Sequence, residues 1–348
     1  MATLLPGITA RTVATPRLAA NILERETPGS GPVVVFLHGN VSSSLFWQPL
    51  MLDLPDTVRP IAIDLRGFGD SETAPVDATR GLADFSDDVL GVLDALGIER
   101  AHFVGWSMGA GVVLQLMLDR TDVVASATLT APVSPYGFGG TILDGSILSA
   151  AAGTGGGGAN PEFVAALAAG DMTADSPTSP RQVFRATYVA AGYETGLEDL
   201  WVESMLSTKT GEHNYPGNAA ANDAWPGFGP GDRGVLNTMT PDNFNVTAVT
   251  ELENKPPILW IHGDADAIVS DASFFDLNML GAVGAIPGWP GADVAPPQPM
   301  VSQTREVLDR YHANGGAVRE VLFDGCGHSP HLERPAEFRA ALLAHIRG

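Results

Sequence analysis

Ser107 has the residue type and the spacing of a nucleophile. It stands in the segment GWSMG, with Gly105 and Gly109 two positions away on either side. A predicted strand, His102 to Val104, precedes it, and helical spacing begins at Met108 directly after it. So sharp a turn holds the serine in a strained backbone conformation and leaves room only for small flanking residues. The pattern is short, so its meaning depends on the partners that the chain offers.

A serine hydroxyl needs a histidine that takes its proton. The chain has eight histidines. His328 stands in FDGCGHSPHLERP, directly after the last predicted strand and before the last predicted helix, where a loop can hold an imidazole over the strand ends. We therefore predict His328 as the base, with His331 as the alternative. Cys326, two residues earlier, is interpreted as a small buried residue of the turn.

The histidine in turn needs a carboxylate that orients it. The segment ILWIHGDADAIVS ends a predicted strand and then presents Asp264 and Asp266. An apolar pair follows Asp266 closely, which favours this residue as the orienting acid. Asp264 is interpreted as a turn former.

Alternating strands and helices must position these residues. The spacing of Leu82, Phe85, Val89, Leu93 and Leu96 predicts an amphipathic helix that ends at Gly97. Most later strands are uniformly apolar, as expected when both faces of a sheet are covered. The fold class is therefore α/β, with a mostly parallel sheet and helices on both faces. The predicted strands are Ile8 to Val13, Leu18 to Glu24, Val33 to Leu37, Pro60 to Ile63, His102 to Val104, Ala125 to Leu129, Ile258 to Ile261 and Val318 to Leu322.

Two regions interrupt the alternation. Residues 133–246 contain the glycine run GTGGGG and helical pieces but no convincing parallel strand, which predicts a mainly helical insert over the sheet. Residues 280–299 form a loop rich in Gly and Pro that is too long for an ordinary connection. We interpret this loop as a candidate second lid.

With the order Ser107, Asp266, His328, the sequence resembles the α/β-hydrolase family over nearly its whole length. The resemblance rests on five motifs in the family's order: FLHGN (36–40), DLRGFGDS (64–71), GWSMG, GDAD and GHSPHLERP. It implies an eight-stranded sheet with a helical cap inserted after strand six. The core is then 1–132 and 247–348, and the cap is 133–246.

The same resemblance implies an oxyanion hole formed by the backbone N–H groups of Asn40 and Met108. Such donors stabilise the negative charge that develops on the substrate oxygen. The Asn40 side chain is left open between a substrate contact and a turn contact. Asp64 and Arg66 are expected to form a salt-bridged turn under the site.

The serine argues against the haloalkane dehalogenase and epoxide hydrolase subfamilies, which carry aspartate at this position. Hydrolysis of a carboxylic ester or lactone is the first choice, and a thioester stays open. A C–C bond hydrolase or cofactor-free perhydrolase is the alternative enzyme. A ligand receptor with little turnover is the alternative from a different class.

Nine aromatic residues of the insert predict an apolar substrate of medium size, bound between sheet and cap. Several of the nine are expected to form the cap's own core. Trp289 on the 280–299 loop and Trp106 beside the nucleophile are added as contacts. The predicted substrate contacts are Trp106, Tyr136, Phe138, Tyr188, Trp201 and Trp289.

The composition excludes several other functions. Forty acidic against nineteen basic residues give a net charge of −21, which disfavours nucleic acid and anionic membranes as partners. A single cysteine excludes an internal disulfide and a thiolate zinc site. We expect no cofactor, no metal, no signal peptide and no membrane span, and therefore a cytoplasmic enzyme. A homodimer is left open.

Overall fold

A computed structural model of the chain describes residues 2–148, 153 and 155–347. Its centre is an eight-stranded sheet in the order β1-β2-β4-β3-β5-β6-β11-β12, antiparallel at β1-β2-β4 and parallel elsewhere. Four short strands, β7 to β10, lie outside it. The strands are β1 (Ile8–Ala14), β2 (Ala19–Arg25), β3 (Val33–Leu37), β4 (Arg59–Ile63), β5 (Ala101–Trp106), β6 (Val124–Thr130), β7 (Thr210–Gly211), β8 (Tyr215–Pro216), β9 (Ala219–Ala221), β10 (Phe228–Pro230), β11 (Ile258–Gly263) and β12 (Val318–Phe323).

The eight predicted strands are the eight strands of this sheet, with bounds that differ by two residues at most. Uniform apolar runs predicted the central strands well because these strands are covered on both faces. Residues 34–37 of β3, for example, are completely buried. The carboxyl ends of β3, β5, β6, β11 and β12 consequently meet at one edge, where the candidate site lies.

Some helices pack on the sheet, and others lie in the segment between β6 and β11. The helices are α1 (Gln48–Asp53), α2 (Ala83–Leu96), α3 (Met108–Asp119), α4 (Pro161–Ala169), α5 (Pro180–Val183), α6 (Glu198–Leu206), α7 (Leu277–Ala282), α8 (Met300–Ala313), α9 (Pro330–Glu333) and α10 (Pro335–Arg347). Helices α2 and α3 pack together, and α3 packs on β5 and β6, whereas α10 packs with α1 and contacts β6 and β11. Gly97 ends α2 in the left-handed region at φ 63°, as predicted. None of the helices in the described part of the chain is long and apolar enough to span a membrane.

The chain between β6 and β11 contains more than the predicted helices. Besides α4, α5 and α6 it has a π-helical turn, Phe184–Tyr188, and two small sheets, β7-β8 and β9-β10. The insert is mainly helical, as expected, and it also contains one short parallel pair, β7 with β8, that the sequence did not predict. Residues 149–152 and Thr154 of this insert, together with Met1 and Gly348, lie outside the described residues.

Candidate active site

Ser107 occupies the turn between β5 and α3 at φ 56° and ψ −119°, a conformation that side chains rarely adopt. The turn is possible because helix and strands approach closely. A Cβ on Gly109 would lie 2.4 Å from the Leu37 carbonyl oxygen, and one on Gly105 would lie 2.4 Å from the Gly109 carbonyl oxygen. The glycines of GWSMG are thus required by contact between backbones, and the hydroxyl is exposed at the strand ends.

Asp266 and His328 form a buried hydrogen-bonded pair. The Nδ1–H of His328 donates to Oδ2 of Asp266 at 2.7 Å, and the two side chains are 2% and 1% exposed. The other carboxylate oxygen, Oδ1, accepts from the backbone N–H groups of Ile268 and Val269 at 2.8 and 2.9 Å. Two main-chain donors therefore fix the carboxylate, and the carboxylate fixes the orientation of the imidazole.

The structure brings Ser107, Asp266 and His328 together although they lie far apart in the sequence. Ser107 and His328 line the same cavity. Asp264 is exposed and accepts from the Gly325 N–H at 2.7 Å, so it ties two turns together. This is the geometry predicted for a turn former, and it leaves Asp266 as the acid beside His328.

Trp106 lies behind His328 instead of lining the cavity. Its indole N–H donates to the His328 carbonyl oxygen at 2.7 Å, and its ring is 1% exposed. The expected substrate contact is thus wrong, because this ring belongs to the core and its one polar atom is used by the histidine loop. We define the histidine loop as residues 324–329.

His331, the alternative base, does not line the cavity either. Its ring lies 4.3 Å from Trp47 and 4.9 Å from Trp106, centroid to centroid, and 2% of the residue is exposed. Among the described residues neither ring nitrogen has a hydrogen-bond partner. Burial lowers the pKa of His331 to about 3, so the ring is neutral at physiological pH.

The loop after β3 carries the predicted oxyanion donor. Asn40 lines the cavity beside Ser107, and Val41 next to it has φ 47°, which is rare for a β-branched residue. The Tyr188 hydroxyl donates to the carbonyl oxygens of Asn40 and Val41 at 3.0 and 3.2 Å. Met108, the second predicted donor, is the first residue of α3, where backbone N–H groups have no partner within the helix.

His38 joins the loops after β3 and β4. Its Nε2 accepts from the Leu65 N–H at 3.0 Å, and its Nδ1–H donates to the Gly39 carbonyl oxygen at 2.7 Å. Burial lowers the pKa of His38, which keeps the imidazole neutral for this double role. His38 thus stabilises the packing of these two loops.

The expected salt bridge between Asp64 and Arg66 is absent. Arg66 forms a bidentate pair with Asp88 of α2, at 2.6 and 2.8 Å. Asp64 accepts from the backbone N–H groups of Ser44 and Asp70 and from the Asn21 amide. Both residues stabilise the turn, but each has its own partner, because neighbouring side chains in the turn point to different elements.

The cavity at Ser107 has a volume of about 440 Å³. Within residues 2–148, 153 and 155–347, none of the side chains that line it is Asp, Glu, Lys or Arg. Its polar lining residues are Asn40, Ser107 and His328 at the strand ends and Asn160, Thr178, Thr187, Tyr188 and Tyr215 in the insert. The lining residues are Asn40, Val41, Ser107, Val133, Phe138, Gly155, Gly158, Ala159, Asn160, Phe163, Pro177, Thr178, Val183, Ala186, Thr187, Tyr188, Tyr215, Leu236, Met239, Ile268, Val269, Phe274, Phe275, Leu277, Leu280 and His328.

Of the predicted aromatic contacts, Phe138 and Tyr188 line this cavity, and Tyr136, Trp201 and Trp289 do not. Tyr136 accepts from Arg310 at 2.8 Å. Trp201 packs on Phe46 with 5.0 Å between ring centroids. Trp289 covers Gly281 and donates to the Ala295 carbonyl oxygen at 2.9 Å. These three rings contact protein groups away from the cavity lining, so the expectation of substrate contact is corrected.

Sequence reasoning missed part of the wall. Phe274 and Phe275 follow the acid loop, line the cavity and remain 59% and 42% exposed. Leu277 and Leu280 continue this wall along α7, and Leu280 is the only cavity residue that the described structure places in the 280–299 stretch. The two adjacent phenylalanines, eight and nine residues after Asp266, were the available signal in the sequence.

Cys326 is completely buried beside this site. Burial raises the pKa of its thiol, and the nearby Glu333 raises it further. The thiol is therefore protonated and unreactive at neutral pH, as its interpretation as a buried turn residue requires.

The sequence matches the alpha/beta hydrolase family over residues 34–341. A 2-(acetamidomethylene)succinate hydrolase of Mesorhizobium japonicum is 26% identical, over 80% of this chain and 85% of the relative. Epoxide hydrolase A of Mycobacterium tuberculosis is 25% identical over 98% of each chain. Among solved structures, the esterase RhEst1 from Rhodococcus sp. ECU1013 has a TM-score of 0.59 and 21% identity, over 97% of this chain and 98% of its own.

The strained serine turn at the edge of a mostly parallel eight-stranded sheet is the architecture of a hydrolase. The chain belongs to the alpha/beta hydrolase family.

Proposed function

We propose that the protein hydrolyses a carboxylic ester or lactone of a neutral, apolar small molecule through an acyl-enzyme on Ser107. The observation that carries the proposal is the buried Asp266 and His328 pair beside Ser107, at the wall of a cavity without charged side chains. A serine at this position supports acyl transfer. The epoxide hydrolase relative has a different activity, and aspartate is the nucleophile expected of that class.

In the proposed mechanism, Nε2 of His328 removes the Ser107 proton as the serine oxygen attacks the ester carbonyl. Negative charge forms on the carbonyl oxygen and is stabilised by the N–H groups of Met108 and Asn40. The imidazolium, held by Asp266, then gives its proton to the leaving alcohol. A water molecule, deprotonated by the same imidazole, cleaves the acyl-enzyme and restores the serine.

The cavity supports a neutral substrate. A succinate carries two carboxylates, and their burial without a cationic partner costs several kcal/mol. No lysine or arginine lines this cavity among the residues that the structure describes. A net charge of −21 repels an anion in addition. The substrate suggested by the name of the Mesorhizobium relative is thus a poor fit for this chain.

A fluorophosphonate probe tests the nucleophile independently of the substrate. We expect stoichiometric labelling of the native protein and none of Ser107→Ala, with the exposed Ser30→Ala as a serine control that labels normally. Turnover of p-nitrophenyl esters of increasing chain length, beside a panel of lactones, then identifies the bond. Folded protein that is not labelled would favour the receptor alternative. Labelled protein that cleaves neither esters nor lactones would favour the C–C bond hydrolase or perhydrolase.

A further inference from the structure

We infer that Glu333 is a positioning residue that holds the histidine loop against the insert and thereby aligns His328. The inference rests on the proposed serine hydrolase function. It concerns a residue that lies outside the cavity lining and touches no reacting atom.

The Glu333 carboxylate bridges two separate segments of the chain. Its oxygens accept from the Gly327 N–H, at 3.0 and 3.1 Å, and Oε2 also accepts from the Ala190 N–H at 2.8 Å. Gly327 immediately precedes His328, and Ala190 belongs to the insert. One side chain therefore bonds both the loop that carries the base and the wall that covers the cavity.

The insert segment at Ala190 is anchored on its other side to the predicted oxyanion loop. Tyr188 donates to the carbonyl oxygens of Asn40 and Val41, as described above. The segment 188–190 thus spans the site, from the loop that supplies an oxyanion donor to the loop that supplies the base. Tyr193 adds a further bond from its hydroxyl to the Leu332 carbonyl oxygen at 3.2 Å.

The histidine loop and the segment 188–190 touch so closely that their relative position is defined. A Cβ on Gly327 would lie 2.5 Å from the Ala190 nitrogen. Both N–H groups lie in this contact and need an acceptor there, because an unpaired donor in a buried contact is costly. A carboxylate accepts on both oxygens, whereas an amide offers one acceptor oxygen and a donor group in place of the other.

His328 is then held from two directions. Trp106 binds its carbonyl oxygen from the core, and Glu333 at the end of α9 binds the N–H of the preceding residue, Gly327. Without Glu333 the Trp106 bond and the Asp266 bond remain, so the loop stays folded but loses its link to the insert. Misplacement of a reacting group by about 1 Å costs on the order of 100-fold in rate.

The test compares Glu333→Ala and Glu333→Gln with Glu337→Gln, an exposed glutamate on α10, as the matched control. The readouts are kcat and KM on the best p-nitrophenyl ester, the rate of fluorophosphonate labelling at Ser107, and the melting temperature. We expect kcat and the labelling rate of Glu333→Ala to fall about 100-fold with KM within twofold. Glu333→Gln, which keeps one acceptor, should recover about tenfold of that loss, and Glu337→Gln should behave as the native protein.

A folded Glu333→Ala with native kcat and labelling rate overturns the inference, as does a change confined to KM, which would assign Glu333 to the shape of the insert alone. If Glu333→Ala does not fold, Glu333→Gln decides: slowed labelling supports the inference, and a native rate overturns it. Native protein that is neither labelled nor active on esters would instead refute the proposed function, and this inference with it.

Discussion

The strand-end residues and the insert meet at one cavity but are held in different ways. Asp266 is fixed by backbone donors two and three residues further along the chain. Tyr188, on the insert wall, is fixed by carbonyl groups 147 and 148 residues away. The Asp266 carboxylate is thus positioned by its own loop, whereas the wall at Tyr188 is positioned by a loop that lies far away in the sequence.

The largest expected effect concerns the strand-end side. Asp266→Asn should lower kcat by about 10⁴ with the fold intact, because an amide at this position favours the wrong imidazole tautomer. Steady-state kinetics with a p-nitrophenyl ester measures the change. Asp264→Asn is the control and should lose far less, since only a turn contact with Gly325 is affected. A reversed order of the two effects would move the acid to Asp264.

His331, which packs against Trp47 and Trp106, should make the stability of the protein sensitive to acid. Because the pKa of His331 is lowered to about 3, its contribution to stability is complete above pH 6.5 and is lost as the pH falls towards 3. Between pH 7 and pH 4 this loss is about 3 kcal/mol. His331→Phe should remove that part of the pH dependence in urea unfolding. The exposed His213→Phe is the control, and an unchanged slope in His331→Phe would contradict the expectation.

The contribution of Asp276, which directly precedes α7, to stability should depend on pH in the opposite direction. Burial raises the pKa of Asp276 to about 6, although its oxygens accept from the Asn278 and Gln298 N–H groups. Its contribution is therefore complete at low pH and is lost as the pH rises through 6.

Between pH 4.5 and 7.5 this loss from Asp276 is about 2 kcal/mol. Asp276→Asn should accordingly reduce the fall in the free energy of unfolding between pH 4.5 and 7.5, measured by urea unfolding. The exposed Asp271→Asn should not change this fall. Equal slopes in both variants would remove Asp276 as the source.

The smallest effect is expected at the cavity mouth. Phe274→Ala and Phe275→Ala remove partly exposed apolar walls, each worth about 1 kcal/mol of contact with a long acyl chain. KM for long-chain esters should rise about fivefold for each ring, with acetate esters unaffected. Val283→Ala removes an equally exposed side chain outside the cavity lining and serves as the control. A loss of the same size on acetate would place these rings at the reacting bond.

Prediction from sequence succeeded where the determinants are local. The uniformly apolar strands, the glycines around Ser107 and the residues at the strand ends can be read from short segments. It failed where a partner lies far along the chain. Arg66 pairs with a residue on the next helix rather than with its neighbour, and the Glu333 carboxylate bonds an N–H 143 residues away. Trp106 was predicted as a substrate contact because the sequence of a strand does not show that its indole N–H bonds the His328 carbonyl oxygen.

The single, buried thiol of Cys326 makes this chain suitable for site-specific labelling. Maleimides react with thiolates, and a protonated, inaccessible thiol gives little background. A cysteine introduced at exposed Val283 would therefore carry one fluorophore or spin label on the loop that follows α7. Such a label would report directly whether this loop moves when a phosphonate occupies Ser107, on a timescale that rate measurements do not separate.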